Sequence, residues 1–141
     1  VRVGVDLSDE SDNWRGAFFW DTSSLAGKTI LSAKWYVHVL GGDFYGADNY
    51  FTFRINPPIG TTLENGDYAN LLGGTLVNTI SITDMPYPGW VELVLLPSWV
   101  NKTGYTTGSI IGYYGDTVFF LNFSSRENPN GFGSYLEIVY Q

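Results

Sequence analysis

Short runs in which every second residue is apolar dominate this chain, and a period of two predicts β-strands. Phe51-Thr52-Phe53-Arg54-Ile55 puts both phenylalanines and the isoleucine on one face. Ala33, Trp35, Val37 and Val39 share a face, with Lys34, Tyr36 and His38 on the other. Val91, Leu93 and Leu95 oppose Trp90, Glu92 and Val94. The same alternation sets Gly16, Phe18 and Trp20 against Arg15, Ala17 and Phe19. Near the C-terminus it sets Leu136, Ile138 and Tyr140, expected in the core, against Tyr135, Glu137 and Val139. Phe119, Leu121 and Phe123 alternate with positions that include Val118 and Phe120, the pattern of a strand covered on both faces. Val1-Arg2-Val3-Gly4-Val5 also alternates and reads as a strand with no lead-in.

Chain breakers separate these runs: Ala26-Gly27, Gly41-Gly42, Pro57-Pro58, Asn65-Gly66, Gly73-Gly74, the stretch 86–89, Gly115-Asp116 and the stretch 128–133. Eight or nine strands at short, even spacing result, with helical turns expected at 23–25, 68–72 and 97–101 and no long helix. Strands without intervening helices predict an all-β fold, an antiparallel two-sheet jelly-roll sandwich whose Greek keys manage the sheet edges. No repeat or linker divides the chain, so residues 1–141 are expected to form one domain. Both ends read as strands tied into sheets, and strands of that kind can exchange between subunits.

Composition narrows the function classes. Aromatic residues make up 17% of the chain and charged residues only 15%, which marks a packed domain and not a disordered one. The seven basic residues are scattered and the formal net charge is -7, so no basic patch is available for nucleic acid or for an anionic membrane surface. No apolar stretch is long enough to insert in a membrane as a helix. Without cysteine there is no disulfide, thiolate metal site or cysteine nucleophile. The sequons Asn101-Lys102-Thr103 and Asn122-Phe123-Ser124 permit N-glycosylation.

Catalytic chemistry finds little to work with. His38 is the only histidine, and no Gly-x-Ser-x-Gly elbow accompanies it, so a serine triad is not expected. The carboxylates Glu64, Asp67, Glu92, Asp116, Glu127 and Glu137 offer pairs by number alone, in no informative motif. We expect no catalytic residue. Hard oxygen ligands do cluster: Asp6, Asp9, Glu10 and Asp12 in one loop, Asp43, Asp48 and Asn49 in another. Calcium takes six to eight such oxygens, so Asp6, Asp9, Asp12, Asp43 and Asp48 are the candidate ligands of a structural Ca²⁺. Aromatic rings next to polar groups suit sugar contact, because the apolar face of a pyranose stacks on a flat ring while polar side chains take the hydroxyls. Asp43, Tyr45 and Tyr50 form the richest loop of this kind, and Tyr87 and Trp90 flank Pro88-Gly89 at a strand start. Arg126-Glu127 is expected to form a structural ion pair or to brace the last loop, and Arg15 to pair with an acidic neighbour.

Two segments carry a family pattern. The first is Val3-Gly4, then Trp14-Arg15-Gly16-Ala17-Phe18-Phe19-Trp20-Asp21-Thr22-Ser23-Ser24-Leu25, then Ile30-Leu31-Ser32-Ala33-Lys34-Trp35-Tyr36-Val37. The second is Phe123-Ser124-Ser125-Arg126-Glu127, followed by Tyr135-Leu136-Glu137-Ile138-Val139-Tyr140. Together they resemble the DNRLRE-type jelly-roll domain of bacterial and archaeal surface proteins, also described as a carbohydrate-binding module. The resemblance covers both ends and hardly touches residues 41–117. Members of that family usually carry a further strand ahead of the Val-Gly, which here is absent or lies upstream. In physical terms Asp21 caps the turn at Ser23-Ser24, Leu25 plugs the sandwich end and Ala33 lets the sheets pack closely. The resemblance implies a non-catalytic carbohydrate-binding or adhesion module, extracellular or at the cell surface, with a polysaccharide or other glycan as partner. The alternative is a structural subunit of an extracellular filament, pilus or virion, with copies of itself as partners through terminal strands.

Overall fold

The computed structural model describes residues 2–6, 12–44, 49–57, 67–113, 119–124, 131 and 133–141. Among the described residues nine strands run in the order β1 (Arg2–Asp6), β2 (Asp12–Asp21), β3 (Ile30–Phe44), β4 (Tyr50–Asn56), β5 (Thr75–Ser81), β6 (Gly89–Leu95), β7 (Tyr105–Tyr113), β8 (Phe119–Phe123) and β9 (Tyr135–Tyr140). They build an antiparallel two-sheet jelly-roll sandwich. One sheet is ordered β6-β3-β8-β1, with β9 also on β3, and the other β5-β4-β7-β2. β2 turns the corner between them, pairing with β1 over its first residues and with β7 from Arg15 onward. Helical turns stand at Ser23–Leu25 and Pro97–Trp99, a short helix α1 at Asp67–Leu72, and a further turn, not expected from the sequence, at Ile82–Asp84.

The alternating faces meet as expected in one apolar layer. Trp35, Val37, Val39, Phe51, Phe53, Ile110 and Phe123 are completely buried there, joined by Ala33, Val91, Leu93 and Leu95. Burial of this kind is the main favourable contribution to folding, and each large side chain adds roughly 1.5–3 kcal/mol. Trp35 is the centre. Its ring meets Phe18, Trp20 and Phe53 edge to face at centroid distances of 5.5, 5.3 and 5.9 Å. Its Nε1 donates to Ser134 Oγ at 2.9 Å, and Ser134 in turn donates to the Tyr36 carbonyl. The buried indole is thereby satisfied.

Gly108 on β7 makes this packing possible. A Cβ there would lie 2.9 Å from Trp35 Cη2 and 3.0 Å from Trp20. On the outer face of the same sheet α1 lies over a polar layer. Asn56 Nδ2 donates to the carbonyls of Asn70 and Leu71, and Ser109 Oγ also donates to Leu71, so side chains of β4 and β7 take up the carbonyls at the helix end.

Two sequence expectations are corrected. Gly41-Gly42 does not end a strand: β3 continues to Phe44, with a register irregularity between Val39 and Gly41. A bulge at Leu40, just ahead of the glycines, bends the strand without breaking its ladder. Tyr140 does not enter the core but is half exposed, with the Lys28 ammonium 5.7 Å from its ring centroid. It pairs with Ile30 as the last residue of β9, beyond the register shift between Ile30 and Ser32. Leu136 and Ile138 are half-buried against the core.

Replacing Gly108→Ala should lower unfolding stability by about 1–3 kcal/mol, because the fully buried Trp35 indole has no open space to retreat into. Ser134→Ala, which strips the buried Trp35 N–H of its acceptor, should cost about 1–3 kcal/mol. Denaturant unfolding monitored by tryptophan fluorescence measures both, and a change within about 0.5 kcal/mol for either would contradict this account of the core.

Candidate functional site

The outward face of the β6-β3-β9 region carries the densest group of accessible aromatic side chains among the described residues. The strand register produces it. Tyr36 on β3 stands between Glu92 on β6 and Tyr135 on β9, while His38 stands opposite Trp90. Directly opposed residues on one sheet face are close enough for their side chains to touch. Tyr36 and Tyr135 stack at 4.8 Å with 17° between planes. Trp90 meets Tyr135 edge to face at 5.7 Å and His38 at 4.9 Å. Trp90 and Tyr135 keep 39% and 44% of their surface open to solvent, so their rings are available for contact.

A polar row flanks the rings. Lys34 Nζ and Glu92 Oε1 are 2.8 Å apart, and the Tyr36 hydroxyl donates to Glu92 Oε2 at 3.0 Å. The hydrogen bonds from Lys34 and then Tyr36 hold the Glu92 carboxyl below its ordinary range. The bond to Glu92 raises the Lys34 ammonium. Tyr36 is raised, first by desolvation and then by its bond to Glu92. The face therefore presents flat rings beside a carboxylate, an ammonium and a phenol, all held in place. It has the donors, acceptors and apolar planes that a neutral polar ligand such as a sugar requires.

The sequence candidates separate in space. Trp90 belongs to this face. Tyr87 lies just before β6 and engages Gly42 on β3, accepting from its N–H at 3.1 Å and donating to its carbonyl at 3.2 Å. Tyr50 is on the other sheet, stacked on Tyr113 at 5.2 Å. Asp43 lies in β3 opposite Phe120, and Asp6 pairs with Asp12 across β1 and β2. Tyr45, Asp9, Glu10, Asp48, Arg126 and Glu127 lie outside the described residues. Among the described residues no group of three or more His, Cys, Asp or Glu side chains gathers as a metal site. Nor does any described helix have the length and apolarity to cross a membrane. The members not singled out as ligands from the sequence are Tyr36, His38 and Tyr135. Their outward direction followed from the alternation, and their meeting with Trp90 follows from pairings that join distant segments.

A concavity of about 1200 Å³ opens between β2 and β9. Its lining includes Ala17, Phe18, Trp20, Leu25, Leu136 and Ile138. At its end the Asp21 carboxylate accepts from the Ser23 hydroxyl at 2.6 Å and from its backbone N–H at 3.0 Å, which lowers its pKa and caps the turn as the sequence suggested. No family model, no curated protein and no solved structure matches this chain.

In an NMR titration the Glu92 carboxyl should show a midpoint below the ordinary carboxylate value, and Lys34→Met should move it upward. Because the folded value lies below the unfolded one, the stabilisation from this contact is present above the unfolded value. It is lost as pH falls through the folded value. A Glu92 midpoint that does not respond to Lys34→Met would contradict the pairing.

Proposed function

We propose that this chain is a non-catalytic carbohydrate-binding module of an extracellular or cell-surface protein, and that it contacts a glycan through the face formed by Trp90, Tyr135 and Tyr36. The observation that carries this reading is the set of open aromatic rings fixed on a sheet beside Glu92 and Lys34. A pyranose ring lays its C–H face on an indole or phenol and directs its hydroxyls to neighbouring polar groups. Strand-borne rings are already ordered, so binding costs little side-chain entropy. The resemblance of the two chain ends to DNRLRE-type domains supports the same reading.

The alternative, a subunit joined to its neighbours by exchange of its own terminal strands, draws less support. β1 pairs with β2 and β8 of its own chain, and β9 pairs with β3.

Affinity electrophoresis through soluble polysaccharides, backed by a glycan array, tests the proposal. The native chain should be retarded by at least one polysaccharide, and Trp90→Ala and Tyr135→Ala should each weaken that binding at least about tenfold, a loss near 1.4 kcal/mol. Tyr50→Ala, on the other sheet, should leave it unchanged. Retardation that survives both of the first two substitutions and disappears with Tyr50→Ala would move the site elsewhere, and absence of binding to every glycan tried would remove the proposal.

A further inference from the structure

The aromatic face carries a charge that its own contacts do not balance. The strand register sets Lys34 on β3 opposite Glu137 on β9, with Tyr36 and Tyr135 opposed two residues along the same pair. Glu92 of β6, opposed to Tyr36, completes the group. Lys34 turns to Glu92, at 2.8 Å, and not across to Glu137. Both Glu92 oxygens are thereby engaged, one by the ammonium and the other by the Tyr36 hydroxyl. Glu137 is exposed and has no ion-pair partner among the described residues. Two carboxylates thus share one ammonium. The uncompensated charge is felt across the face: desolvation and the Glu92 bond raise the Tyr36 hydroxyl, and the Glu137 carboxylate raises it further.

Building on the glycan reading, we infer that the polysaccharide this face takes is one of amino sugars, with a protonated amine received by Glu137 while the pyranose ring lies on Tyr135 and Trp90. Tyr135 and Glu137 are two residues apart on one face of β9, a separation of about 7 Å. A substituent of a sugar seated on the phenol ring therefore comes within reach of the carboxylate. The rings favour the same substituent, because an ammonium is attracted to the face of an indole or phenol, and Trp90 and Tyr135 are both open to solvent. An acidic sugar meets the opposite conditions. The Lys34 ammonium is already held by Glu92, and the chain as a whole has a net charge of -7. A neutral sugar can use the rings and hydrogen-bond the carboxylate, but it gains no charge pairing. The amine is thus the one common sugar substituent that answers the rings and the spare carboxylate together.

Titration calorimetry of the intact chain tests this with two matched pairs of oligosaccharides. One pair is a β-linked glucosamine oligomer and its fully N-acetylated form, the other an α-linked galactosamine oligomer and its N-acetylated form. All are measured at one mildly acidic pH at which the sugar amine is protonated. In at least one pair the amino form should bind at least about fivefold more tightly than the acetylated form. Glu137→Gln should shrink that ratio at least about threefold, whereas Lys34→Met, which releases Glu92, should enlarge it. Raising the salt from about 0.01 M to about 1 M should also shrink it. Equal affinities within both pairs, tighter binding of the acetylated forms or of a uronate oligomer, or a ratio indifferent to Glu137→Gln would overturn the amino-sugar assignment and leave the glycan reading standing. Failure of both amino oligomers to bind overturns it as well, and the neutral polysaccharides of the electrophoresis experiment then show whether the glycan reading falls with it.

Discussion

The packing of Trp35 against Gly108 is the constraint on which the rest of the sandwich depends. The indole of β3 reaches across the layer to β7 at a point where any side chain would displace it, and Phe18, Trp20 and Phe53 close around it. Its polar edge is answered by Ser134, just ahead of β9. One side chain thus links both sheets and the approach to the last strand. With that face of β3 committed to the core, the opposite face presents Lys34, Tyr36 and His38 outward. The aromatic face is a by-product of how firmly β3 is anchored from below.

Most of the strands were legible because they are covered on one face and follow a clean period of two. β7 was not. Its residues Thr106, Thr107, Gly108, Ser109, Ile110 and Ile111 are all buried, the inner ones in the core and the outer ones on the face that carries α1, so no polar side alternates with an apolar one. β5 escaped for the opposite reason, since as an edge strand it leaves most of its residues exposed or half-exposed and shows little contrast. The direction of each side chain in β3 could be read locally, but the register shifts at Leu31 and Leu40, where β3 pairs with β9 and β8, depend on remote partners. This also explains why Trp90 could be named from its neighbourhood while its companions Tyr36, His38 and Tyr135 could not.

β3 has one more implication, for the order of events during folding. Trp35 and Ser134 are 99 positions apart, and β3 and β9 are joined across a comparable span. Contacts of such long separation are the slow ones, because chain entropy is lost before the contact repays it. During synthesis β3 and β6 can pair early, yet the indole at the centre of the core waits for its acceptor until the segment leading into β9 has left the ribosome. The nascent domain therefore spends most of its translation with its largest buried ring only partly enclosed.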